Sequence, residues 1–302
     1  LIVNGSIINL YRLYFTNAGR SVVISGDGDI SIKERIYLSV NDNITVVNNS
    51  GGTISIGDDL YYDLDADGGT FINNGTLEIA DDLEFLGESC KFINNGSANI
   101  YHDLISFVNN ILLVNNSGGF ITVANNFDAR SHSFTVDNYG DFVLSNDFVE
   151  IQANEVFLNN RSGTFTWNGS NYDPQLVLRC NYAPNEFIYG RNWNQDIIIP
   201  QDNYWDLTIT TGGVKQFKSD LLIKNDLRIS ASQLDPTFNN NNITIMGDWI
   251  EEDGGDFIPR NGRVTFTGGQ NQTITCPAGE TFNNLTVNKS AGLVELVQGD
   301  IS

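Results

Sequence analysis

Three aspartates in alternation, Asp63, Asp65 and Asp67, run into Gly68 and Gly69 and carry the most specific chemistry in the sequence. Alternate carboxylates on one turn can converge on a hard cation, and glycine allows the sharp bend that such a loop needs. These three residues are therefore the candidate metal ligands, for calcium. The twelfth position counted from Asp63 is Asn74, not the bidentate Glu of a helix-flanked calcium loop, and no helical pattern surrounds it. The competing reading is a plain acidic turn. A weaker acidic run, Glu251, Glu252, Asp253 and Asp256, follows the same logic.

A second set of carboxylates is defined by recurrence. Asp59, Asp82, Asp103, Asn126 and Asp147 hold one position of a repeated phrase. Like charges stacked on neighbouring strands repel, so these side chains are expected to fan into solvent at a corner, with cation bridging as the alternative. His102 takes a turn position held elsewhere by Asp or Asn and is expected to be an exposed substitute; His132 lies 30 residues on, at an unrelated position.

Catalytic patterns are not found. There is no Gly-x-Ser-x-Gly elbow, phosphate loop or zinc spacing, and Cys90, Cys180 and Cys276 are far apart and odd in number. Enzymes that cleave acidic polysaccharides combine clustered carboxylates, or calcium, with basic residues in a groove, whereas basic residues here are sparse and scattered. The expectation is a chain that is not an enzyme. Tyr61, Tyr62, Tyr101, Trp193 and Trp205 could stack on sugar faces, or serve as ladder and cap residues.

The elements that position these residues follow from a repeat. Its phrase is Gly, any, apolar, any, apolar, any, any, polar, apolar. Clear copies begin at Gly52, Gly75, Gly96, Gly119 and Gly140, with weaker ones at Gly28, Gly163 and Gly5. Successive glycines are separated by 23, 24, 23, 21, 23, 21 and 23 residues. An Asn pair precedes many of them: Asn73-Asn74 and Asn94-Asn95 directly, Asn48-Asn49, Asn115-Asn116 and Asn159-Asn160 with two further residues between. The turn absorbs the length change and the strand register is expected to survive it.

Within the phrase the period is two, so Leu77 and Ile79 share one face while Thr76 and Glu78 share the other. One such strand cannot bury its apolar face alone. Stacking the copies lets Ile54, Leu77, Ala98, Ile121, Phe142 and Phe165 form an interior ladder. Asn suits the corner because it tolerates left-handed backbone and its amide can bond to the copies above and below. The fold class is all-β, a parallel β-helix (β-solenoid) with coils of about 21–24 residues, and the crossover rule favours right-handed winding. Residues 1–185 form the regular, glycine-anchored part. Residues 186–302 continue as a solenoid or related β-repeat with a longer unit: Leu207 and Leu285 begin similar phrases 78 residues apart. The last unit reads as truncated, and the chain as a piece of a longer protein.

Composition agrees. The chain is 40% hydrophobic, enough for a core, and only 18% charged, with a net charge of −21. That balance excludes a counterion-releasing nucleic-acid surface and disfavours anionic lipid, and no apolar run is long enough to span a membrane.

Three phrases in the second half carry a family resemblance: Asn284-Leu-Thr-Val287, Gly247-Asp-Trp249, and Val264-Thr-Phe-Thr-Gly268 with Gln272-Thr-Ile274. They resemble the repeat arrays of large type IX-secreted, adhesin-like surface proteins of Bacteroidota-type bacteria, well over residues 186–302 and only in style before that. The resemblance implies secretion, cell-surface display, and a structural or adhesive role in attachment or gliding motility. The partners it implies are glycans or other surface components and other segments of the same large protein. The alternative reading is a polysaccharide-binding or polysaccharide-degrading β-helix.

Overall fold

In a computed structural model of the chain, residues 1–5, 8–16, 21–39, 43–64, 66–130, 133–151 and 156–302 are described. Among them every regular element is a β-strand, and the strands stack as a β-solenoid of about 13 turns. The alternation read from the sequence therefore places the fold correctly. The chain divides into two units, residues Leu1–Asn159 with Tyr172–Val177, and Asn160–Asn171 with Leu178–Ser302.

In the first unit each coil runs through three sheets. One coil contributes Thr70–Asn73, Thr76–Ile79 and Leu83–Phe85; the next contributes Lys91–Asn94, Ser97–Ile100 and Leu104–Ser106. They pair in parallel with Asn73 opposite Asn94, Ile79 opposite Ile100 and Phe85 opposite Ser106. Every second residue points inward, and Ile54, Leu77, Ala98 and Ile121 lie in one register column, all fully buried. Burying each large member of such a column contributes about 1.5–3 kcal/mol. Aromatic steps continue the same logic: Phe71 stacks on Phe92 at 6.0 Å and Tyr62 on Phe85 at 4.5 Å.

The corner between the first two sheets explains the Asn pairs. The inner Asn of each pair is buried, and its amide donates to the inner Asn of the next coil, from Asn48 to Asn73 at 2.7 Å, on to Asn94 at 2.8 Å, to Asn115 at 2.9 Å and to Asn138 at 2.9 Å. The outer Asn residues form an exposed ladder that donates the opposite way: Asn116 to Asn95, Asn95 to Asn74, Asn74 to Asn49. Ser117 and Gly118 are extra residues here. Asn94 and Asn115 are 21 apart and Ala98 and Ile121 are 23 apart, yet both pairs are in register. Gly118 takes up the difference with φ 80°.

In the second unit one sheet runs from Thr164–Trp167 through Glu186–Tyr189, Asp206–Ile209, Leu227–Ser230, Trp249–Glu252 and Gln272–Thr275 to Val294–Gln298. Two four-stranded sheets complete it, one holding Leu221–Ile223, Ile243–Ile245, Arg263–Gly268 and Asn284–Lys289. Leu207 pairs with Leu227 in the long sheet, whereas Leu285 pairs with Val264 in the short one. The two similar phrases 78 residues apart therefore occupy different faces. Buried Trp249 packs edge-on against Phe257 and Phe282, both at 5.2 Å.

Candidate functional site: an acidic corner

The corner between the second and third sheets of the first unit holds the phrase positions Asp58-Asp59, Asp81-Asp82, His102-Asp103, Asn125-Asn126 and Asn146-Asp147. The expectation that the inner member fans into solvent is overturned, since Asp59 is only 2% exposed. Each inner side chain turns along the stack and accepts the backbone N–H of its equivalent on the next coil. Asp59 accepts from Asp82 at 3.0 Å, Asp82 from Asp103 at 2.8 Å, Asp103 from Asn126 at 2.7 Å and Asn126 from Asp147 at 3.3 Å. A carboxylate accepting a backbone N–H gains a charge-assisted bond, which offsets the repulsion expected between stacked acids. The second unit repeats the device: Asp206 accepts from Asp226 at 2.9 Å, Asp226 from Asp248 at 2.7 Å and Asp248 from Thr273 at 2.7 Å.

Arg35 and His102 bracket the acids. Arg35 donates to Asp58 at 2.8 Å and forms an ion pair with Asp59 at 2.7 Å. His102 Nδ1 lies 2.8 Å from Asp82, 3.4 Å from Asp81 and 3.4 Å from Asp103. Burial pushes Asp59 up to about 6, even though the Asp82 N–H and Arg35 pull it down. Glu84, on the adjoining strand, is pushed up to about 7 by burial and then by Asp59 and Asp82. The hydrogen bond to Asp82, with the charges of Asp103, Asp82 and Asp81, holds the His102 imidazole above its ordinary pKa. Two sets of ligand atoms lie mutually within 4.8 Å, those of Asp81, Asp82 and His102 and those of Asp58, Asp59 and Asp81. His102 is exposed, as the sequence indicates, but it is the hub of three carboxylates and not an isolated substitute.

Of the proposed calcium ligands, Asp65 lies outside the described residues, as does His132. Asp63 accepts from Ser39 Oγ at 3.0 Å and from the Leu64 N–H at 2.8 Å, and Asp67 accepts from the Glu88 N–H at 3.0 Å. The aromatic residues divide. Tyr62 is buried, while Tyr61 belongs to an outward column with Tyr37 and Tyr14. Tyr14 and Tyr37 stack face to face at 4.5 Å, and Tyr37 meets Tyr61 at 5.4 Å. Tyr14 and Tyr37 turn their faces to one another, whereas Tyr61 meets Tyr37 edge-on and carries the Arg35 guanidinium over its ring at 5.3 Å. Trp193 is 72% exposed.

An open cleft of about 220 Å³ in the second unit is lined by Glu186, Asp206, Thr208, Asp226 and Arg228. Burial raises the carboxyls of Asp206 and Asp226 above their ordinary range. Thr208 donates to Glu186, and Arg228 is paired with Glu252 at 2.9 Å. Arg35, Glu84 and this cleft are not singled out by sequence reasoning. The consecutive Asp pairs Asp58-Asp59 and Asp81-Asp82, at one phrase position on adjacent coils, are the signal that could have marked the corner.

The fold defines the class of protein, a parallel β-solenoid. No family model, curated protein or solved structure matches the chain.

Proposed function

We propose that the chain is a structural and attachment segment of a larger secreted surface protein, a spacer whose outward face meets glycans or other surface components. The observation that carries this reading is where the polar side chains direct their bonds. The residues that would bind or react elsewhere, Asn at one corner and Asp at the next, are bonded to their equivalents one coil away. Such bonds strengthen a stack held only by nearest neighbours and leave a polar exterior suited to display. The resemblance of the second half to type IX-secreted surface arrays supports the same role.

The test is a bead carrying the 302-residue chain, challenged with a glycan array and pulled by an optical trap. Retention on glycans supports attachment, and stepwise extension in increments of one coil supports the spacer. Unsaturated products or new reducing ends from polysaccharides would overturn the reading.

A polysaccharide-binding role has one observation in its favour, the cleft at Glu186, Asp206, Thr208, Asp226 and Arg228. Its carboxylates repel acidic chains, so neutral glycans are the fitting class. Affinity electrophoresis in gels containing neutral polysaccharide, with and without Asp206→Asn, tests it; equal mobility in both gels removes it.

A further inference from the structure

The His102 corner holds more acceptors than its proton can serve. Asp81 and Asp82 lie on one coil, His102 and Asp103 on the next. The backbone fixes their register, with the His102 N–H on the Asp81 carbonyl at 3.2 Å and the Asp103 N–H on the Asp82 carboxylate at 2.8 Å. Nδ1 of His102 is thereby set among three carboxylate oxygens, at 2.8, 3.4 and 3.4 Å. An imidazole nitrogen has one N–H to give. A metal ion in its place can be shared by the Asp81 and Asp82 oxygens at once.

The spacing suits such an ion. The ligand atoms of Asp81, Asp82 and His102 lie within 4.8 Å of one another. Tetrahedral ligands held at the usual zinc distances of about 2.0–2.2 Å stand roughly 3.3–3.6 Å apart, a small adjustment for side chains that are partly exposed. We propose that Asp81, Asp82 and His102 bind a divalent first-row transition ion of the zinc type.

The imidazole decides the class of metal. Calcium and magnesium take oxygen ligands, whereas nitrogen with carboxylate oxygen suits zinc and its neighbours. It also decides which coils form the site. One coil earlier Asp58 and Asp59 are met by the Arg35 guanidinium. One coil later the corner carries Asn125 and Asn126, whose amides are poor ligands for such an ion. Metal binding displaces the His102 proton, so affinity weakens as pH falls.

The experiment uses the full 302-residue chain, stripped with chelator and titrated with zinc chloride by calorimetry at pH 7.5, and with cobalt(II) followed by visible absorption. The expected result is one saturable equivalent and a cobalt ligand-field band, neither displaced by a tenfold excess of calcium. His102→Asn is expected to lower zinc affinity at least tenfold and to remove the band. That substitution keeps the fold, because Asn125 already occupies the equivalent position on the next coil and the His102 side chain is 51% exposed; circular dichroism checks it. An unsubstituted chain that takes up no zinc, or a His102→Asn chain that binds it equally well, overturns the proposal. So does binding lost in Asp63→Asn but retained in His102→Asn.

Discussion

The side-chain amide of Asn73 donates to the side-chain carbonyl of Asn94 across 2.8 Å, with both groups buried and 21 residues apart in sequence. Asn94 passes the bond on to Asn115 and also donates to the carbonyls of Gly96 at 2.9 Å and Phe120 at 3.1 Å. Replacing Asn94 by Ala takes the donor from the buried Asn115 side-chain carbonyl on the next coil and the side-chain acceptor from the buried Asn73 amide on the previous one. The expected cost is about 2–4 kcal/mol, since each unsatisfied buried polar group costs about 1–3 kcal/mol. Asn95→Ala, in the exposed ladder, is expected to cost under about 1 kcal/mol. Urea unfolding midpoints measure both, and equal shifts would contradict the role assigned to the inner ladder.

Arg35 is the counter-charge of the nearly fully buried Asp59. Removing one partner of a buried pair is destabilising because the other charge stays behind. Arg35→Met is therefore expected to destabilise the first unit by about 1–3 kcal/mol at pH 8. Asp59 holds its proton up to about 6, so at pH 5 it is largely neutral and the loss shrinks. A deficit that is larger at pH 5 than at pH 8 would reverse the assignment.

In the second unit Glu251 and Glu280 lie 3% and 5% exposed in one layer. Burial, then the hydrogen bond to Glu280, pushes the Glu251 carboxyl well above the usual range, and the Trp249 indole N–H pulls only partly the other way. Glu280 is also raised by burial, against hydrogen bonds from Glu251, Thr281 and Phe257. Raised carboxyl pKa values mean that the folded state binds protons that the unfolded chain has released. Stability is then complete below the ordinary glutamate pKa of about 4.3 and falls as pH climbs above it towards the folded values. Glu251→Gln is expected to flatten that decline and to exceed the parent in thermal midpoint at pH 8. A parent whose stability rises from pH 5 to pH 8 would contradict this.

Cys90, Cys180 and Cys276 are all buried and free. Burial raises Cys90 to about 12 and Cys276 to about 11, and lifts Cys180 well above the ordinary thiol value. Because the thiolate is the reactive form, a disulfide reagent at pH 8 is expected to label none of the three in the native chain and all three in denaturant. Rapid native labelling of any one would place that thiol outside the core.

The solenoid is legible because its determinants are local and periodic. Alternation in Thr76–Ile79 fixes which residues face inward, glycine spacing fixes the coil length, and the Asn pair marks the corner. The acidic corner is only half legible. Recurrence of Asp at Asp59, Asp82 and Asp103 is visible, but its reading as mutual repulsion leaves out the backbone N–H one coil away, whose position depends on the corner's curvature. The role of Arg35 is hidden for the same reason, as it occupies the position that carries Asp on the following coils. In the second half, similarity between the phrases at Leu207 and Leu285 follows residue type and not the face: Leu207 is fully buried and Leu285 is 38% exposed. The Glu251–Glu280 pair is invisible to periodicity, because its members come from different turns of unequal length.

The inner amide chain from Asn48 to Asn138 has a consequence for growth of the molecule by tandem duplication. Each rung gives one bond upward and takes one from below, so a copied rung would find a giver and a taker already waiting. A genetic slip of some 21 residues between Asn73 and Asn94 would insert a self-compatible layer without redesigning either neighbour.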